Sequence, residues 1–202
     1  MTLITIGVVG FQGDVADNMS FAEQALHDAN RPGCVILVMS RGDLEKIDAL
    51  VIPGGESTTI GRMSAYGDVL EAIRDRIRSG MPVLGICAGM VLLSRDAKDR
   101  IVGETNQSLL GVLDVTVERN SFGRQRHSFE QGVKMQSVGI PHFPGVFIRS
   151  PAILDVGPDV QVLAEVSGRA VAVRQGNIFA TSFHPEMTDD TSLHKYFIGM
   201  IP

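Results

Sequence analysis

Along the first half of the chain, uninterrupted apolar runs rich in β-branched residues alternate with stretches whose apolar positions recur at helical spacing. LITIGVVGF (3–11), CVILVM (34–39), ALVIPGG (49–55) and MPVLGI (81–86) read as strands. Between the first two, Val15, Met19, Ala22 and Leu26 fall on one face of a helix over 14–29. Ser57 to Ser79 is helical in pattern, with a break near Gly67 and a stop at Gly80, and 88–97 reads as helix again. Strands without polar alternation are buried on both sides. Their alternation with helices predicts βαβ units, and so a parallel sheet with helices on both faces.

After about residue 110 the pattern changes. GVLDVTVERN, GVFIRS, VQVLAEVSG, AVAVRQGN and IFATSFHPE are strand-like and separated by short turns, and SGR and QGN read as hairpin connections. The stretch from Asp189 onward predicts a last helix. No linker or repeat divides the chain. Residues 1–202 read as a single α/β domain, doubly wound, with an antiparallel extension in the C-terminal half.

Composition narrows the function. A chain of 202 residues buries a core without disulfides or metals. A net charge of −5 and the absence of any dense Lys/Arg run argue against nucleic acid or an anionic membrane as the main partner. No apolar run reaches the length of a membrane span. The N-terminal MTLITIGVVGF lacks a basic leading region and runs into GDVADN, so it reads as a strand rather than a signal peptide. Two cysteines, Cys34 and Cys87, give neither a disulfide framework nor a zinc spacing. Such usage suits a reducing cytoplasm. Neither metal nor cofactor is expected. Cys34, inside CVILVM, is expected to be a small core residue.

Cys87 is different. It stands in VLGICAGM, after a strand and before a helix, between Gly85 and Gly89. G-I-C-A-G matches the nucleophile elbow G-x-S-x-G with cysteine in place of serine. A sharp strand-to-helix turn strains the backbone, and side chains at the flanking glycines would clash with adjoining elements. The turn exposes the sulfur, and the Ala88 N–H points toward a developing oxyanion. The plain alternative is a core cysteine in a glycine-containing loop. A nucleophile of this kind needs a base, and the base an orienting group. Of five histidines, His27 and His194 fall in predicted helices, and His127 and His142 in loop-like stretches. His184 ends the run IFATSFHPE and is followed by Pro185, which forbids continuation of a central strand. It therefore belongs on the same rim as Cys87, and Glu186, two residues on, is placed to hold its imidazole. PGGESTT (53–59) ends the third strand; its glycines free backbone N–H groups, and Gly55 is a candidate second oxyanion donor. No G-K-[ST] follows, which weakens a phosphate-loop reading.

Together, PGGES, G-x-C-A-G and HPE resemble the triad-type (class I) glutamine amidotransferases. GFQGDV, PGGESTT, ERNSFGRQ, GVFIRSP and SFHPEMTDD extend the resemblance almost end to end, to the family of glutaminase subunits of pyridoxal 5′-phosphate synthase. The resemblance implies a flavodoxin-like fold of the class I amidotransferase type. It implies hydrolysis of L-glutamine through a cysteine thioester, with ammonia passed to a separate synthase subunit that makes pyridoxal 5′-phosphate from a pentose phosphate and a triose phosphate. Carried over by motif, Cys87 is the nucleophile, His184 the general acid/base and Glu186 its orienter. Gly55, Glu56 and Ser57 would bind glutamine, as would Arg119 and the pair Ile148–Arg149. Free glutamine is a zwitterion, so its carboxylate calls for an arginine and its ammonium for an acceptor. Three features depart from the family. Ala16-Asp17-Asn18 stand where many relatives carry a basic, histidine-containing stretch in the region that meets the synthase. Met90 and Met187 replace leucine, a volume-conserving change. Segment 95–108 matches weakly and is expected to be a variable loop.

Other readings remain at this stage. A glutaminase subunit for imidazole glycerol phosphate synthesis would share the triad, but NSFGRQ argues against it. A free-standing cysteine hydrolase would need an open groove. A non-enzymatic α/β module holding a phosphate at PGGESTT would leave Cys87 unreactive toward a glutamine-analogue electrophile.

Overall fold

A computed structural model describes residues 3–99, 103–121 and 128–202. His127 and the second half of ERNSFGRQ lie outside these residues. The chain begins with β1 (Ile4–Val9), α1 (Val15–Asp28), β2 (Gly33–Val38), α2 (Arg41–Leu44), β3 (Ala49–Ile52), α3 (Ser57–Ser64), α4 (Val69–Arg78), β4 (Val83–Ile86) and α5 (Ala88–Leu93). It continues with β5 (Ser94–Asp99), β6 (Gly103–Glu104), β7 (Leu113–Arg119), β8 (Phe129–Met135), β9 (Ile140–Phe147) and β10 (Ala152–Val156). The last elements are β11 (Gln161–Val166), β12 (Arg169–Gln175), β13 (Ile178–Thr181) and α6 (Ser192–Ile198).

The main sheet has seven strands in the order β2-β1-β3-β4-β13-β12-β11. β2, β1, β3, β4 and β13 run parallel, while β12 and β11 add antiparallel pairings at one edge. This is a doubly wound sheet, as the alternating pattern predicts, and the chain order reverses at β1 and β3. In such sheets ligands bind beyond the carboxyl ends of the strands near that reversal. Successive residues of one strand face opposite sides. Ala49 and Val51 of β3 accordingly pack with α1 and α6, whereas Leu50 and Ile52 pack with α3, α4 and α5. Each face thus has its own apolar core, with Phe179, Phe183 and Phe197 on one side and Ile60, Ile73 and Ile77 on the other.

The antiparallel extension of the C-terminal half is present, with β11 on β12, β8 on β9 and β10 on β7 all antiparallel, while β5, from the first half of the chain, joins β7 in parallel. Three expectations need correction. The helix expected over 88–97 stops at Leu93, and its last residues enter β5. Segment 95–108 is therefore not simply a variable loop, since its first residues pair with β7. Cys34 is exposed, because β2 is an edge strand with a neighbour on one side only; its Sγ lies 3.6 Å from Thr5 Oγ1. The break near Gly67 is present as a 3₁₀ turn at Tyr66–Asp68, where Gly67 has φ +66°. Among the described residues, no helix is long and apolar enough to cross a membrane.

Candidate active site

Four strands of the parallel sheet deliver side chains to one rim. Gln12 and Asp14 follow β1, Gly55 to Ser57 follow β3, Cys87 follows β4 and His184 follows β13. Cys87 has φ +50° and ψ −100°, a conformation that non-glycine residues rarely adopt. Its N–H donates to the carbonyl of Thr181 at 2.8 Å, which ties the elbow to the end of β13. The flanking glycines meet a steric demand. A Cβ on Gly89 would lie 2.1 Å from the carbonyl oxygen of Ile52, and one on Gly85 would lie 2.4 Å from Leu93 Cδ1. Ala88 opens α5, where backbone N–H groups have no intrahelical acceptor.

His184 is buried, and its own N–H donates to the carbonyl of Val146 at 2.9 Å. Pro185 ends the extended chain, and a 3₁₀ turn over Pro185–Met187 swings Glu186 back beneath the ring. His184 Nδ1 and Glu186 Oε1 are 2.8 Å apart, with the Glu186 side chain withdrawn from solvent. Cys87 is the other group whose proximity acts on the imidazole. Burial alone would push the imidazole pKa down. Hydrogen bonds and charge from Cys87 and Glu186 overcome it and raise the pKa from 6.5 to about 10. The arrangement thus favours an imidazolium between a sulfur and a carboxylate.

A cavity of about 380 Å³ opens above these groups. Gly55, Glu56, Ser57, Cys87, Ala88, Arg119, Ile148, Arg149 and His184 all line it, and Glu186 stands behind His184. Every site residue expected from the sequence therefore converges here. Arg149 Nη1 lies 3.1 Å from Glu56 Oε1, and Arg119 Nη2 lies 3.6 Å from Glu56 Oε2. Two guanidinium groups and one carboxylate thus cluster in the cavity wall, a charge pattern complementary to an α-amino acid.

Sequence reasoning gave no role to three side chains. Gln12 Oε1 accepts from the Glu56 N–H at 2.7 Å and so fixes the PGGES turn. Gln107 Oε1 accepts from Ser57 Oγ and Thr58 Oγ1, each at 3.0 Å, and Arg119 Nη1 donates to Thr58 Oγ1 at 3.1 Å. Asp14 Oδ2 lies 3.6 Å from His184 Nδ1. The GFQGDV motif was the one available signal for Gln12 and Asp14; nothing marked Gln107.

Asp14, His184 and Glu186 offer ligand atoms within 4.8 Å of one another. The imidazole atom facing both carboxylates is Nδ1, which Glu186 already engages. A cation there would displace that hydrogen bond, so the donor set suits an oriented imidazole better than a metal.

Known proteins resemble this chain over nearly its whole length. The model of the SNO glutamine amidotransferase family matches residues 8–202. The pyridoxal 5′-phosphate synthase subunit PdxT of Nitrosopumilus maritimus is 51% identical over 196 residues, covering 97% of this chain and 96% of the relative. The PdxT subunit of Staphylothermus marinus is 42% identical over 200 residues, covering 97% and 98%. Among solved structures, a glutamine amidotransferase superposes with a TM-score of 0.85 at 39% identity, over 97% of this chain and 98% of that one. A Thermotoga maritima glutamine amidotransferase, at 13% identity and a TM-score of 0.63, shares the fold.

Proposed function

The chain belongs to the SNO glutamine amidotransferase family, and on that premise we propose that it is the glutaminase subunit of a pyridoxal 5′-phosphate synthase. It hydrolyses L-glutamine to L-glutamate and ammonia. The ammonia passes to a synthase subunit, which builds pyridoxal 5′-phosphate from a pentose phosphate and a triose phosphate. Residues 1–202 act as one amidotransferase domain, and the cytoplasm is its compartment, in keeping with two free cysteines.

The mechanism follows from the site. The Cys87 sulfur attacks the side-chain amide carbon of glutamine, and the carbonyl oxygen becomes an oxyanion. The N–H groups of Ala88 and Gly55 are the donors proposed for it. The His184 imidazolium gives its proton to the amide nitrogen, the C–N bond breaks and ammonia leaves. A glutamyl thioester remains on Cys87. His184, now neutral, takes a proton from water, whose oxygen attacks the thioester carbon. Collapse of this second tetrahedral species expels the sulfur and releases glutamate. Glu186 keeps Nδ1 protonated and Nε2 directed at the chemistry. Arg119 and Arg149 receive the α-carboxylate, Glu56 the α-ammonium, and Ser57 and Ile148 complete the wall.

The single observation that carries this reading is the buried His184–Glu186 pair, 2.8 Å apart, set against a cysteine on a strained turn. The charged Arg119–Glu56–Arg149 cluster favours a free amino acid over a peptide substrate, because a peptide lacks both α-charges at that position. The test is ammonia release from glutamine, measured with and without the synthase. We expect the synthase to activate release, and Cys87→Ala to lose about 10⁴-fold or more in turnover while still binding glutamine. Undiminished release by Cys87→Ala in the complex would sink the assignment.

A further inference from the structure

The β1–α1 turn places a second carboxylate against the catalytic imidazole. Asp14 Oδ2 is 3.6 Å from His184 Nδ1, on the ring atom that Glu186 Oε1 holds at 2.8 Å. At that separation Asp14 acts through charge rather than through a direct hydrogen bond.

Two independent features show that this approach is built. First, Asp14 occupies the N-cap position of α1, where an aspartate ordinarily accepts from the N–H groups of the first turn. Its side chain makes no such bond. The main chain is instead pinned by other groups: the Asp14 N–H donates to the Gly54 carbonyl at 3.2 Å, and Asn18 Nδ2 donates to the Asp14 carbonyl at 2.9 Å. The carboxylate is thereby free to face His184. Second, the space between them exists because residue 54 is glycine. A Cβ there would lie 2.4 Å from His184 Cε1 and 3.1 Å from Asp14 Oδ2.

We infer that Asp14 is a second positioning carboxylate for His184, sharing with Glu186 the task of holding the imidazole oriented and protonated. The inference rests on the reading of His184 as acid/base and Glu186 as its orienter. The division of labour follows from burial. The Glu186 side chain is fully enclosed, and its Oε2 has no hydrogen-bond partner among the described residues. Asp14 is about one-third exposed, at 34%, so its charge is partly screened and its share is the smaller. The titratable groups facing the imidazole are Cys87, Glu186 and Asp14, and Glu56, Arg119 and Arg149 line the same cavity.

The test uses the full chain in complex with its synthase, and reads kcat, KM and the pH profile of ammonia release for parent, Asp14→Asn, Glu186→Gln, the double variant and Asp14→Glu. His184→Asn serves as control. Asp14→Asn is expected to lower kcat about threefold with KM unchanged, the scale of a partly exposed charge pair. The alkaline limb of kcat should move to lower pH, and Asp14→Glu should restore both. In the Glu186→Gln background the same substitution should cost about tenfold, because the two carboxylates act on one ring and are coupled. If Asp14→Asn matches its parent in kcat and pH profile in both backgrounds while His184→Asn is inactive, this inference alone is overturned. A loss that appears in KM and is not restored by Asp14→Glu overturns it as well. Full activity in His184→Asn overturns both this inference and the mechanism beneath it.

Discussion

Cys87 at φ +50° and ψ −100° is a residue that the surrounding structure holds out of its preferred backbone basin, at a cost of about 1–3 kcal/mol. The reward is a sulfur at the tip of the elbow, beside an imidazole whose proton is favoured by the fold. Because the His184 pKa rises from 6.5 in the open chain to about 10 in the folded state, protonation of His184 stabilises the fold. That contribution is complete below about pH 6.5 and is lost as pH rises through about 10. The melting-temperature advantage of the parent over His184→Gln should therefore shrink between pH 6.5 and 10. Parallel melting curves across that window would contradict it. The triad was legible in the sequence because each member carries a local signal: glycines two residues either side of Cys87, and a proline that stops the strand at His184. Gln12, Asp14 and Gln107 were not. They are polar residues in loops, and their partners lie 44, 170 and 50 positions away, a separation no local pattern encodes.

At the level of elements, the elbow works only because β3, β4 and α5 approach closely. Gly89 of α5 sits so near the β3 backbone that Gly89→Ala would force a Cβ to within 2.1 Å of a carbonyl oxygen, which cannot move as a side-chain tip can. We expect a loss of about 1–3 kcal/mol in urea unfolding, with reduced glutaminase activity from the displaced elbow. An alanine variant with parental stability and activity would show that the contact is not needed. The long apolar strands of the parallel sheet were readable because burial on both faces leaves no polar alternation. β5 was not. Its sequence, SRDAKD, has no β-branched residue, and the strand exists through pairing with β7. The change from helix to strand comes at Ser94, whose Oγ caps the helix end by donating to the Val91 carbonyl. Tertiary pairing there overrides local propensity.

Across the whole molecule, the strand order brings the carboxyl ends of β1, β3, β4 and β13 together, so residues from 12 to 184 meet in one cavity. On the face away from α3 to α5, α6 closes over α1 through His194, which is buried against Phe21 with neither ring nitrogen hydrogen-bonded among the described residues. Burial lowers its pKa from 6.5 to about 3, the opposite sense to His184. The folded state then binds fewer protons than the unfolded one, so stability falls as pH drops from about 6.5 toward about 3. His194→Leu should lose less of its melting temperature than the parent between pH 7 and pH 4; equal losses would contradict this. The sequence placed His194 in a helix without indicating that the helix would bury it, since burial depends on how α1 and α6 meet.

The central claim is that glutamine is opened by covalent attack from Cys87. Acid quenching of the complex during turnover, followed by peptide mass spectrometry, maps the acylated residue directly. The account predicts a glutamyl thioester on Cys87, removable by hydroxylamine. A glutamyl group on another residue, or turnover without acylation of Cys87, would contradict it.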